Sequence, residues 1–186
     1  IHEMGFETAF HFTCVGSSRE EITRYVEDLA SKGVKNILAL RGDAPNQDAS
    51  YFKTHDGFQY ASELVEFLSE FNKFSIAVAG YPEKHVEAKT LSADLQNLKR
   101  KIDLGADLVI TQLFFDNQVY FNYVDKVRSL GVHKPIIPGV MPILGLQQVE
   151  KITKMCGANL PEELHEKLQS CDCLLYTSPS PRDTLL

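Results

Sequence analysis

The chain has 186 residues, 44% of them hydrophobic and 24% charged, enough for one soluble globular domain with a sizeable core. Its net charge is −6, from 19 basic and 25 acidic residues with no basic run, which argues against nucleic acid or an anionic membrane as main partner. No apolar stretch is long enough to cross a bilayer, the start lacks a signal peptide's pattern, and the 4 cysteines read as reduced thiols of a cytoplasmic protein.

In chain order, residues 7–14 alternate so that His11 and Thr13 share one face and Phe10, Phe12 and Cys14 the other, which is a strand pattern. Ser17 or Ser18 caps the following helix. Ser18 and Glu21 stand in capping-box spacing, Ile22, Tyr25, Val26 and Leu29 recur at helical intervals, and Gly33 ends the run. Ile37 to Leu40 reads as a strand buried on both faces. Charges cannot continue into such a core, so Arg41 and Asp43 must emerge at its carboxyl end. Gly42 between them lets the backbone turn sharply or lie close against something flat. In parallel α/β folds ligands bind at that end of a strand, which makes 36–43 the best candidate site.

A polar loop over 44–56 exceeds the usual strand-to-helix turn and reads as a lid or ligand-covering loop. A helix over 59–71 follows, carried by Leu64, Val65, Phe67 and Leu68, and then a strand over 74–80 that opens into Tyr81, Pro82 and a polar loop containing His85. Helices over 92–104 and 118–130 bracket a strand at 107–115, and a further strand spans 135–141. Helical segments at 146–155 and 161–169 close the patterned part. From about Cys173 the text loses its period and gains prolines at 179 and 181. It resembles translated sequencing-adaptor sequence, so 1–172 is taken as the domain and 173–186 as a non-native or disordered tail.

Strand and helix thus alternate with strands starting about 30 residues apart, which predicts a parallel α/β sheet with right-handed crossovers. A doubly wound sheet and a (β/α)8 barrel both satisfy this. The turn after the first strand lacks Gly-x-Gly-x-x-Gly, no Gly-Lys-Ser loop occurs, and each strand delivers a polar group near its C-terminal end, which favours the barrel. Five units cannot close eight strands, so the expected fold is an incomplete TIM barrel.

Each candidate residue has a bland alternative. His11 on an apolar strand is more often a satisfied core histidine than a functional one. Arg41 and Asp43 could form an ion pair sealing the rim, although Gly42 and the long loop favour ligand contact at least as strongly. Residues 81–85 have ordinary loop composition. Lys99, Arg100 and Lys101 read as the solvated face of a helix. Gln112, on the face of Leu108, Ile110 and Phe114, must find partners for its amide and could read the edge of a heterocycle. No nucleophile stands beside a base, and no His, Cys or Glu cluster has metal spacing; Cys171-x-Cys173 lacks a second pair.

Six segments in order resemble methylenetetrahydrofolate reductase: His11 to Cys14, Ala39 to Asp43, Val78 to Pro82 with His85 to Ala88, Ala93 to Lys101, Ile110 to Asp116, and Ile137 to Pro142. The resemblance covers about residues 10–168 and implies a (β/α)8 barrel, here its strands 3 to 7, holding FAD at the strands' C-terminal ends. It implies that His11 contacts the flavin, that Leu40, Arg41, Gly42 and Asp43 run beside it, and that Asp43 lies near N1 of the isoalloxazine. Tyr60, Ala61, Ala79, Tyr81, His85, Ala88, Asp94 and Lys101 match positions that hold the ribityl, diphosphate and adenosine parts; Lys101 would then face phosphate. Gln112 matches an amide that hydrogen-bonds the pterin ring.

The implied reaction is reduction of 5,10-methylenetetrahydrofolate to 5-methyltetrahydrofolate with NADH or NADPH as hydride donor, in one-carbon and methionine metabolism. The family's general acid, a glutamate on the first strand, has no counterpart in this sequence. No catalytic residue is therefore assigned, the chain alone is expected to be inactive, and homo-oligomerisation is left open. The competing reading is a barrel lyase or pterin-binding transferase without flavin, and a third is a non-catalytic scaffold.

Overall fold

The structure is a computed structural model that describes residues 4–43 and 56–175. The candidate lid, apart from Asp56, and the tail beyond 175 lie outside the described residues, as do the side chains of Cys171 and Cys173. Five strands, β1 (Ala9–Thr13), β2 (Asn36–Leu40), β3 (Ser75–Gly80), β4 (Leu108–Leu113) and β5 (Ile136–Gly139), alternate with four helices. These are α1 (Arg19–Ser31), α2 (Ala61–Glu70), α3 (Leu91–Asp103) and α4 (Asn117–Ser129), with α5 (Leu146–Cys156) and α6 (Glu162–Leu175) following. Helix α6 runs to Leu175, past the boundary drawn at 172 from the loss of period.

All neighbouring strands are parallel and pair in chain order, β1-β2-β3-β4-β5. A doubly wound sheet must reverse its strand order at a switch point, so this sequential order excludes it. Right-handed crossovers in one direction put the connecting helices on one face. Among the described residues β1 and β5 each pair on one side only.

Strand alternation supplies the core. Ile37 and Ala39 of β2, Ile76 and Val78 of β3, and Val109 of β4 turn one face to Ile22 and Val26 of α1, Leu64 and Leu68 of α2, Leu98 of α3 and Val127 of α4. Each fully buried aliphatic side chain stabilises this layer by about 1.5–3 kcal/mol. The expected first strand is shorter than its alternation suggested, and Phe10 is 41% exposed while Phe12 packs against the core. The physical reason is position: among the described residues β1 has a neighbour on one side only.

The capping box forms as its spacing requires. The Glu21 amide donates to Ser18 Oγ at 3.2 Å, and the Ser18 amide donates to Glu21 Oε2 at 2.9 Å. Helix α3 begins earlier than expected because Thr90 caps it, accepting from the Ala93 amide at 3.1 Å. Asp116 does the same for α4 through the Gln118 amide at 2.8 Å. Replacing Ser18 by alanine is expected to lower stability by about 1 kcal/mol, read from the midpoint of urea unfolding; an unchanged midpoint would show that the box is not formed in solution.

Candidate functional site

Parallel pairing sends every strand's C-terminal end in one direction, and a cleft of about 610 Å³ opens there between the ends of β2 and β3 and the helices α2 and α3. Its volume is that of a small-molecule site. Leu40 and Arg41 enter it from β2, Tyr60 and Ala61 from the start of α2, and Ala79 from β3. Tyr81, His85 and Ala88 enter from the loop after β3, and Asp94 and Lys101 from α3.

The other four candidates lie outside this cleft. Gly42 and Asp43 follow Arg41 directly at the end of β2, where Asp43 is exposed. His11 is exposed on β1 and registers beside Leu38, which registers beside Ala77, on the sheet face turned away from the helices. Gln112 shares that face, since Val109 and Thr111 bury the opposite one. Its Oε1 accepts from the adjacent Leu113 amide at 2.9 Å; its NH2 group has no hydrogen-bond partner among the described residues. Asp43 and Gln112 nevertheless lie at the same end of the sheet, because both belong to C-terminal ends of parallel strands.

Gly42 turns the backbone sharply, the first of its two expected roles, and packs against side chains of the preceding strand end rather than against a flat group. Its φ is +88°, and a Cβ there would lie 2.7 Å from Val15 Cγ1 and 3.0 Å from Thr13 Cβ. The chain after β1 closes against the same point, with the Val15 amide donating to the Arg41 carbonyl at 2.9 Å.

The electrostatics of the cleft are unusual for a surface. Lys101 is half-buried and donates from Nζ to the Ala79 carbonyl at 2.7 Å. Burial pushes its ammonium down to about 8, against the opposing pull of Asp94. Asp94 sits in the first turn of α3 and its Oδ2 accepts from the His85 amide at 3.0 Å. Burial lowers His85 below the usual histidine range and raises Tyr81 above the usual phenol range. The two rings meet edge to face with centroids 4.6 Å apart. Arg41 pairs end-on with Glu87, Nη1 to Oε2 at 2.6 Å and Nη2 to Oε1 at 2.7 Å. This grip raises Arg41 and lowers Glu87 from their ordinary values.

The reading of Lys99, Arg100 and Lys101 as one solvated face is corrected for its last member. Lys99 pairs with Asp103 at 2.8 Å and Arg100 is exposed although it borders the cleft, whereas Lys101 is half-buried in it. Asn97 and Glu87 also line it without having been singled out. The missed signal was helical: Asp94, Asn97 and Lys101 recur at i, i+3 and i+7, one stripe of α3.

A second hollow, about 440 Å³, lies between α1 and α2. It is rimmed by Glu63, Glu66 and Glu70, with Arg19 over the Phe58 ring at 4.6 Å. It receives none of the convergent polar groups described above. Among the described residues no three His, Cys, Asp or Glu side chains are grouped to hold a metal ion, and no helix is long and apolar enough to cross a membrane.

The family model for methylenetetrahydrofolate reductase matches residues 1–173 of this chain. The chain belongs to this family. Among methylenetetrahydrofolate reductases, it is 40% identical over 157 residues to the 5,10-methylenetetrahydrofolate reductase of Pectobacterium carotovorum, covering 84% of this chain and 51% of that protein. It is 39% identical over 168 residues to the enzyme of the same name from Salmonella typhimurium, covering 90% and 55%. It is 38% identical over 169 residues to methylenetetrahydrofolate reductase (NADH) 1 of Zea mays, covering 85% and 28%. The chain therefore spans about half the length of its bacterial relatives. An uncharacterized protein from Clostridium thermocellum that binds two copies of 5-methyl-5,6,7,8-tetrahydrofolic acid superposes with a TM-score of 0.49 at 13% identity, covering 88% of this chain and 75% of that one.

The half-buried lysine yields a test of what the cleft is for. Its proton is disfavoured in the folded chain, so below pH 8 the fold carries that penalty. The penalty is relieved as pH rises through about 8, while an unfolded chain keeps the proton up to the ordinary value of 10.5. Lys101→Met is therefore expected to raise the ligand-free stability at pH 7 by about 1–3 kcal/mol and to abolish the gain in stability between pH 8 and 10.5. Denaturant unfolding across that range measures both; a destabilised variant would make Lys101 a structural group.

Proposed function

We propose that this chain is the central part of a (β/α)8 catalytic barrel, strands three to seven, of an FAD-dependent enzyme. The proposed reaction reduces 5,10-methylenetetrahydrofolate to 5-methyltetrahydrofolate with NADH or NADPH. The observation that carries the reading is the family match together with a cleft at the strands' C-terminal ends that holds a desolvated ammonium, Lys101, among small walls. A cation kept half-buried at a cost in stability is what an anionic ligand would offset.

The residues fit a flavin nucleotide. Ala39, Ala61, Ala79 and Ala88 leave room for flat or extended groups along the cleft, Lys101 and Arg100 supply positive charge, and Asp94 and Tyr81 supply polar contacts. FAD, when bound, supplies a two-electron carrier that accepts a hydride from the nicotinamide and gives it to the folate. The chain's own residues orient and polarise. Asp43, an anion at the end of β2, opposes build-up of negative charge beside it and favours a cationic folate species. Gln112 has an NH2 group without a partner among the described residues and an amide oxygen within reach of its own backbone, so it can orient a pterin by hydrogen bonds. His11 stands on the same helix-free sheet face as Gln112, on β1, from which it would contact a bound flavin. None of these residues is assigned as the acid that opens the folate ring.

The full-length protein carrying this chain is expected to be yellow as purified, with an absorbance that bleaches on adding NADH or NADPH and returns on adding 5,10-methylenetetrahydrofolate. A colourless protein that binds folates and never FAD would instead support the lyase or transferase reading. The 186-residue chain expressed alone is expected to aggregate and to turn over no methylenetetrahydrofolate, because β1 and β5 each leave an edge unpaired among the described residues. Size-exclusion chromatography and a turnover assay check this, and a soluble, active monomer would overturn it.

A further inference from the structure

The loop from Tyr81 to Ala88 is held at many points for a connecting segment. Lys84 adopts a left-handed backbone, φ 90°, and folds its Nζ onto the carbonyls of His85 at 3.0 Å and Ala88 at 2.7 Å. The Ala88 amide returns to the His85 carbonyl at 3.0 Å, and the His85 amide is held by Asp94. Glu83 Oε2 accepts from the Asn159 amide at 2.9 Å, which ties the loop to the segment after α5.

One tie crosses from this loop to the neighbouring strand end. The carboxylate of Glu87 takes both terminal nitrogens of Arg41, 46 residues earlier in the chain, and both residues line the cleft. The same residue acts a second time through its backbone: its amide donates to His85 Nδ1 at 3.1 Å. A ring nitrogen that accepts carries no proton, so the neutral imidazole holds its hydrogen on Nε2. Among the described residues Nε2 has no hydrogen-bond partner, and His85 lines the cleft.

We propose that Glu87 is a positioning residue for this site: its carboxylate fixes the Arg41 guanidinium against the cleft wall, and its backbone N–H holds His85 as the Nε2–H donor. The proposal rests on the reading of the cleft as a cofactor site. With both terminal nitrogens taken, Arg41 presents a fixed planar wall with its charge balanced rather than a free fork for an anion. The pair is partly open to water, the Glu87 side chain being 57% exposed, so its contribution is directional more than coulombic. Without it, a ligand entering the cleft would have to order the arginine and the loop as it binds.

The test uses the full-length protein carrying this chain, with Glu87→Gln and Glu87→Ala. Glu87→Ala is expected to bind FAD roughly five- to tenfold more weakly than wild type, with Glu87→Gln between them and the thermal midpoint unchanged. In the ligand-free protein, nitrogen-15 spectra of the histidine rings are expected to show His85 protonated on Nε2 alone. Glu87→Ala keeps the backbone N–H but loses the Arg41 tie, so the amides of residues 85–88 exchange faster and the Nε2–H signature weakens only to the extent that the loosened loop opens the amide–ring bond. Equal or tighter FAD binding by Glu87→Ala would overturn the proposal, tighter binding meaning that Glu87 competes with the ligand for Arg41. A His85 ring protonated on Nδ1 in wild type would overturn it as well. If wild type takes up no FAD, the flavin reading fails by itself, and the ring and exchange measurements still decide whether Glu87 holds the loop.

Discussion

Parallel hydrogen bonding in chain order is the constraint on which the site depends. Each strand of the sheet is too apolar on its helix face to carry a charge, so polar groups collect where the strands stop. Because all neighbours run the same way, those stops share one end. Arg41, Asp43, Tyr81 and Gln112 come from distant parts of the sequence and meet at that end for this reason alone. Gly42 completes the arrangement, since its left-handed turn lets the end of β2 close against Val15 and Thr13.

One group gathered there is poorly suited to stability taken by itself. The half-buried ammonium on α3 disfavours the ligand-free fold, while the amide on β4 keeps an NH2 group unused among the described residues and burial holds His85 toward its neutral form. Their neighbours compensate locally. Asp94 faces Lys101 and holds the His85 amide, and Glu87 holds Arg41 and the His85 ring. Local conflict of this kind, inside an otherwise consistent α/β pattern, supports the proposal that the cleft takes a ligand. Membership of the methylenetetrahydrofolate reductase family agrees with it from an independent direction.

Regular periods and short-range chemistry were enough for the elements. The alternation of β2, the Ser18–Glu21 box and the apolar stripes of α1 and α2 are local relations, and each takes the predicted form because its partners lie within a turn or a strand. The emergence of Arg41 and Asp43 at a strand end followed from the cost of burying charge, which needs no knowledge of the neighbours. The choice between a doubly wound and a sequential sheet did need them, because strand order is a pairing between segments far apart in the chain.

The sequence by itself therefore determined the parallel α/β class, the emergence of charge at a strand's carboxyl end and, through its ordered motifs, the family. Tertiary structure alone decided which charges are solvated and which serve the cleft. Lys99 and Lys101 are two residues apart on one helix, yet one pairs with Asp103 in water and the other is half-buried against Ala79. It alone also joined Glu87 to Arg41. A lone glutamate in a loop carries no period, and its meaning arises only when β2 and β3 register side by side and bring the two side chains within reach.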